Sequence, residues 1–272
     1  MGKVIVITSG KGGVGKTTCT ANLGSGLALA GKSVILVDAD IGLRNLDLVM
    51  GLENRIVFDL VDVVEGKCRS YRQALIKDKR FDNLFMMPSA QSKDKDAVKP
   101  EQMRELCQEM KESFDFVLVD CPAGIEMGFK NAIAGADEAI VVTNPEVSAV
   151  RDADRIVGLL EANEMSSIKL ILNRVKADMV RRGQMLSVQD VQEILNLDLL
   201  GMIPEDERII HASNRGEPAV LDRNSRAGEA YRQVVRCLID PSTPGPSLVE
   251  DPGLMGKLRR FFTAGLGSQV AQ

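Results

Sequence analysis

A doubly wound α/β fold, a mostly parallel sheet with helices on both faces, is predicted by three observations. Apolar runs of strand length recur along the 272-residue chain, at 4–8, 33–38, 83–87, 116–120, 138–143, 168–173 and 197–203, with helical stretches between them. Several runs are rich in Val, Ile and Leu without polar alternation, as parallel strands buried on both faces are. Most end in polar or glycine residues, and in such sheets ligands sit beyond the carboxyl ends of the strands.

The first run closes on Gly10-Lys11-Gly12-Gly13-Val14-Gly15-Lys16-Thr17-Thr18, and the helical spacing of small and apolar residues over 17–30 follows at once. Glycine, four residues, Gly-Lys-Thr between a strand and a helix is the pattern of a phosphate-binding loop. Gly10, Gly12, Gly13 and Gly15 let consecutive backbone N–H groups turn inward, and the helix N-terminus adds its positive dipole end. Lys16 is placed to reach the outer phosphates, and the Thr17 hydroxyl to ligate magnesium. Lys11 is not required by this pattern. From spacing alone it is either a solvated loop charge or a cation that crosses to a second subunit.

The run 33–38 leads into Asp38-Ala39-Asp40, two carboxylates at a strand end. Beside a bound triphosphate such a group orients water or holds magnesium, and otherwise it caps the next helix or turn. The run 116–120 is an apolar strand closed by Asp120, the physical content of a Walker B magnesium site. Cys121-Pro122-Ala123-Gly124 after it reads as a loop able to change path, with Cys121 a small buried thiol. The run 138–143 continues into Asn144-Pro145-Glu146-Val147-Ser148, where Glu146 and Ser148 suit the capping of a following helix. The late strand ends carry Asn173-Arg174 and Pro204-Glu205-Asp206; an amide suits an adenine edge, and a proline-led loop can wall a base. Between them, residues 175–196, with Lys176, Arg181 and Arg182, read as a solvated insertion.

Composition narrows the classes. The hydrophobic share of 44% with 26% charged residues is that of a soluble globular protein, and 272 residues suffice for one sizeable domain. A net charge of −4 argues against attraction of the whole molecule to nucleic acid. The five cysteines are scattered without a Cys-x-x-Cys pair, which fits reduced thiols and a cytoplasmic setting. No basic-then-apolar leader opens the given sequence, and no apolar run approaches the roughly 20 residues of a spanning helix.

From Asp240 the material changes. Four of the ten prolines lie within 241–252, so residues 1–240 are read as the folded domain and 241–253 as a flexible linker. Residues 254–272 follow as a basic amphipathic helix and tail. Wound at about 100° per residue, Leu254, Met255, Leu258, Phe261, Phe262 and Leu266 share an arc of roughly 140°. Lys257, Arg259 and Arg260 lie outside that arc, and no acid accompanies them. That is the composition of a helix lying on an anionic membrane surface. A single short anchor binds weakly, and two on one dimer bind far more tightly.

With these motifs in place, residues 2–240 resemble the MinD/ParA family of deviant Walker A ATPases, and the Asn-Pro-Glu run with the basic tail matches its Min-system branch. The resemblance implies a P-loop NTPase fold of the SIMIBI type, ATP and Mg2+ as ligands, and an ATP-dependent homodimer. It assigns Lys11 to the neighbouring subunit's phosphates, Asp40 to the attacking water and the metal, and Glu146 to the partner's nucleotide. Asn173, Arg174, Pro204, Glu205 and Asp206 fall to the base. It further implies a MinC-type division inhibitor and a MinE-type activator as partners; it does not fix their contact residues, for which Asn45 and Asp152 are candidates. The implied role is selection of the division site by a cytoplasmic protein that becomes peripheral on the inner membrane face when ATP is bound. The rivals are a ParA-type DNA-segregation ATPase and an electron-transfer ATPase with an iron–sulfur cluster on Cys107 and Cys121.

Overall fold

The computed structural model of the chain describes residues 2–94, 96–125 and 127–243. The eight strands are β1 (Lys3–Thr8), β2 (Val34–Asp38), β3 (Ile76–Lys77), β4 (Leu84–Met87), β5 (Phe116–Asp120), β6 (Glu138–Thr143), β7 (Ile168–Val175) and β8 (Asp198–Pro204). The helices are α1 (Lys16–Leu29), α2 (Leu46–Met50), α3 (Leu60–Val64), α4 (Pro100–Lys111), α5 (Met127–Ile133), α6 (Val147–Ala162), α7 (Ala177–Arg181), α8 (Val188–Leu195), α9 (Glu207–Asn214) and α10 (Arg226–Ile239).

One sheet joins the strands in the order β3-β4-β2-β5-β1-β6-β7-β8, and every neighbouring pair is parallel except the antiparallel edge pair β3–β4. The period-2 geometry of each strand sends alternate residues to opposite faces. Val4 and Val6 of β1 join the layer formed with α4, α5, α6 and α8, whereas Ile5 and Ile7 join the layer formed with α1, α2 and α10. Both faces are covered, which is why the strands read as continuous apolar runs. β1 and β5 lie side by side at the centre, and the sheet grows from them towards β2 and β4 one way and towards β6, β7 and β8 the other. Such a reversal of direction opens a crevice beyond the carboxyl ends of the strands.

All seven expected strands form, with ends displaced by one or two residues. β7 runs on to Val175 because its pairing with β8 slips at two places, between Leu170 and Ile171 and between Leu172 and Val175. The edge strand β3 was not expected. Two residues carry no readable period, and only β4 selects them.

Residues 175–196 correct the expectation of a solvated insertion. α7 does present an outer face without a buried residue, yet Val188, Val191 and Leu195 of α8 are buried in the layer that also holds α6. Their i, i+3, i+7 spacing defines an apolar stripe. The linker from residue 244 and the basic helix at 254–272, including Leu254, Met255, Lys257, Leu258, Arg259, Arg260, Phe261 and Phe262, lie outside the described residues. Among the described residues no helix is long and apolar enough to cross a membrane.

Candidate functional site

Backbone geometry prepares the 10–18 loop for an anion. Gly15 caps α1 with φ 97°, a left-handed conformation open to glycine, and a Cβ there would lie 2.2 Å from the Asn173 amide nitrogen. No side chain accepts from the first turn of α1, and that turn holds no acidic residue. The N–H groups at the start of a helix lack intrahelical acceptors, so those of α1 are left to whatever anion enters.

At the floor of the loop Lys16 and Asp120 form a buried pair, Nζ to Oδ1 3.1 Å, with side chains only 7% and 1% exposed. Burial pulls the Lys16 ammonium down, but the Asp120 charge, helped by Cys121, the Asp120 hydrogen bond and Asp40, outweighs it, and the net shift is upward. Lys16 is therefore a fixed cation. The Thr17 hydroxyl donates to Asp120 Oδ2 at 2.7 Å, and the Thr20 hydroxyl to Oδ1 at 3.1 Å. A hydroxyl and a carboxylate this close form the oxygen donor set of a hard divalent cation that keeps most of its water. Among the described residues no three His, Cys, Asp or Glu cluster into a metal cage of their own. A metal here has to be shared with phosphate oxygens, as magnesium in such loops is.

Asp38 is the site residue that sequence reasoning passed over in favour of Asp40. Parallel register sets it opposite Asp120, and both are buried. Burial first, and the Asp120 charge second, push the Asp38 carboxyl up to about 7. It accepts from the backbone N–H groups of Asp40 at 3.0 Å and Leu46 at 3.2 Å, which ties the 38–46 loop to the sheet. The only signal in the sequence is an acidic residue at the last position of a strand. Thr20, one turn beyond Thr17, was missed as well; its i, i+4 relation to Lys16 is the readable clue. Asp40 is buried beyond the end of β2 and lies near enough to Lys16 for its charge to raise the ammonium.

Lys11 faces the start of α6. Its Nζ lies 3.6 Å from Glu146 Oε2 and 3.3 Å from Ser148 Oγ, which accepts from it. This corrects the capping expectation for Glu146 and Ser148. Glu146 stands at the N-cap position with no side-chain cap bond, because its carboxylate is turned towards Lys11.

The late strand ends build a side cavity of about 150 Å³ lined by Gly15, Thr18, Asn173, Arg174, Pro204, Glu205, Asp206, Ile209 and Ile210. Asn173 Nδ2 donates to Val14 O at 2.7 Å, which fixes the amide's orientation and leaves its buried Oδ1 with no hydrogen-bond partner among the described residues. An acceptor placed so fits an exocyclic amino group. Arg174 takes φ 56° where β7 and β8 slip, and a bulge of this kind re-aims the side chains beside it. The Asp206 side chain is occupied otherwise. Its carboxylate caps α9 through Arg208 N and accepts from Ser225 Oγ and Ala227 N. A larger hollow, about 710 Å³, opens alongside between Pro145 and Met185; it shares Arg174 and Glu205 with the side cavity and none of the 10–18 loop.

Cys107 and Cys121 are both fully buried, with thiols pushed up to about 12 by burial, which does not favour an exposed pair of cluster ligands.

Loop, buried lysine, hydroxyl–carboxylate pair and side cavity together define a P-loop nucleotide-binding protein. The model of the CobQ/CobB/MinD/ParA nucleotide-binding domain matches residues 5–219. The septum site-determining protein MinD of Bacillus subtilis is 56% identical over 265 residues, 96% of this chain and 98% of that protein. In the MinC:MinD cell division protein complex of Aquifex aeolicus, the matching chain has a TM-score of 0.84 at 50% identity, covering 90% of this chain and 98% of that one. The septum site-determining protein MinD complexed with Mg-ADP from Pyrococcus horikoshii has a TM-score of 0.80 at 32% identity, covering 89% and 97%. The chain belongs to the MinD proteins of the CobQ/CobB/MinD/ParA nucleotide-binding family.

Proposed function

We propose that this chain is an ATP-dependent dimerising membrane switch that hydrolyses ATP and, on the membrane, recruits a MinC-type division inhibitor to position the division site. The observation that carries the reading is the buried Lys16–Asp120 pair with Thr17 on the opposite carboxylate oxygen, set under a helix start with unused N–H groups. The relatives named as MinD, one bound to Mg-ADP and one in a complex with MinC, support the ligand and the partner.

In this reading the amides of 10–18 bind the phosphates, and Lys16, kept charged by Asp120, moves onto their outer oxygens. Thr17 and Asp120 would hold Mg2+, with Asp40 acting through its water, and the bound ion would supply charge neutralisation on the transferring phosphoryl group. Asp40 also orients the attacking water. Asn173 accepts from the base through Oδ1, and Arg174, Pro204, Glu205 and the backbone of Asp206 wall it. Lys11 and Glu146 leave each other and reach the nucleotide of the second copy. That exchange is inexpensive, since the pair is more than a third exposed on average and such pairs contribute little. The closed dimer sets two basic tails on one bilayer, each cation near anionic lipid contributing on the order of 1 kcal/mol. A MinE-type activator speeds hydrolysis, which returns the protein from the inner membrane face to the cytoplasm.

Co-sedimentation with anionic liposomes under ATP, ADP and no nucleotide, for the full chain and for a chain ending at residue 253, tests this. Membrane binding should require both ATP and the tail. Equal binding in all three nucleotide states, or retention by the truncated chain, would overturn the switch.

A further inference from the structure

Arg80 lies outside every element assigned above, on the loop between β3 and β4. Its guanidinium is held by Asp78, Nη2 to Oδ2 2.6 Å and Nε to Oδ1 3.0 Å, with the Asp78 side chain 1% exposed. The other N–H groups point away from that pair to two different places. Nη1 donates to Gly216 O at 2.8 Å, and Nη2 also donates to Met50 O at 2.9 Å. Gly216 follows the C-terminus of α9, and Met50 is the last residue of α2. A fixed cation therefore meets the negative ends of two helices at once.

Both helices start at the nucleotide site. α2 begins where Leu46 N is held by Asp38, and α9 begins at the Pro204–Asp206 wall of the side cavity. Their far ends are pressed together at Gly51 and Gly216, with φ 66° and 64°, where a Cβ on Gly216 would lie 2.4 Å from the Gly51 Cα. Two short helices thus run from the site to one hub.

We infer that Arg80 is a positioning residue that couples occupancy of the base cavity to the 38–50 segment carrying Asp38 and Asp40. A base seated against Pro204 moves α9, and the rigid contact of Gly216 with Gly51, locked by the guanidinium on both carbonyls, carries that displacement into α2. The chemistry requires arginine. A lysine can keep the ion pair with Asp78, but its point charge cannot span a carboxylate and two carbonyls in a planar fork.

The inference rests on the nucleotide reading of the site, so the experiment separates the two. Amide hydrogen exchange is measured with ADP and with inorganic pyrophosphate, which has phosphates and no base, on the wild-type chain and on Arg80→Lys. Protection of residues 10–18 reports phosphate binding; protection of residues 46–52 reports the coupling. In the wild type, ADP should slow exchange over 46–52 by about fivefold or more beyond pyrophosphate, the low end of ordinary coupling. In Arg80→Lys that difference should vanish while 10–18 stay protected and thermal unfolding shifts little. A difference that persists in Arg80→Lys, or is absent from the wild type, overturns the role of Arg80. Failure of both ligands to protect 10–18 in the wild type overturns the nucleotide reading, and this inference with it.

Discussion

Lys16 and Lys11 sit five residues apart in one loop, yet their surroundings give them opposite energetic weight. Lys16 is enclosed with Asp120, Thr17 and Thr20, so its removal leaves a buried carboxylate beside Asp38 without its cation. Breaking one partner of a buried pair costs about 3–5 kcal/mol, and Lys16→Met should lower the unfolding free energy in urea by about that much. A loss under about 1 kcal/mol would refute the weight given to the Lys16–Asp120 pair. That Lys16, Thr17 and Asp120 belong to one cluster is legible in the sequence, because residue type and local spacing are enough. The place of Asp38 is not. Its partner is fixed by strand register across 82 positions, since 120 − 38 = 82, and no local pattern encodes that.

At the scale of elements, α9 shows how a short helix is held at both ends. Its N-cap, Asp206, sews it to the start of α10 through Ser225 Oγ and Ala227 N, and its C-terminal side is met by Arg80. Burial raises the Asp206 carboxyl, but bonds from Ala227 N, Arg208 N and Ser225 Oγ outweigh it and hold the group below the usual carboxylate range. A carboxyl with a depressed folded value adds stability that is present above its unfolded value of about 3.9 and is lost as pH falls through the folded one. Asp206→Asn keeps a capping oxygen for Arg208 N but sets an amide NH2 against Ala227 N, so it should be less stable than wild type at pH 7 by about 1 kcal/mol for the lost hydrogen bond, and the gap should narrow below about pH 4. Thermal melts followed by circular dichroism between pH 3 and 7 check this, and a constant gap would refute it. The expectation that residues 204–206 wall a base pointed to the right strand end, where Asp206 also lies. What the sequence hid is that its side chain serves two helix starts, because Ser225 and Ala227 are brought to it only by the packing of α10 on β8.

For the whole molecule, the unusual feature is a loop lysine whose ion pair with Glu146 is weak and partly exposed. A contact so easily exchanged suits a residue that, in the dimer proposed above, takes a second partner. Lys11→Ala should bind ATP within about twofold of wild type, surface pairs of this kind contributing under about 1 kcal/mol. Its membrane- and partner-stimulated turnover should fall by about a hundredfold or more, as when a charge supplied in trans is removed from a phosphoryl-transfer site. Full stimulated turnover in Lys11→Ala would overturn the cross-subunit role, and loss of ATP binding would place Lys11 in the primary site.

The sequence by itself determined seven of the eight strands, the phosphate loop and the acidic strand ends, since each is written in neighbouring residues: β-branched runs, glycines at fixed spacing, a carboxylate closing an apolar strand. Tertiary structure alone decided the pairing of Asp38 with Asp120, the anchoring of Asn173 on Val14 and the meeting of α2 and α9 at Arg80. Each of those depends on which strands lie side by side and in what register. In a parallel sheet that is settled by the packing of crossover helices, not by any local stretch of chain.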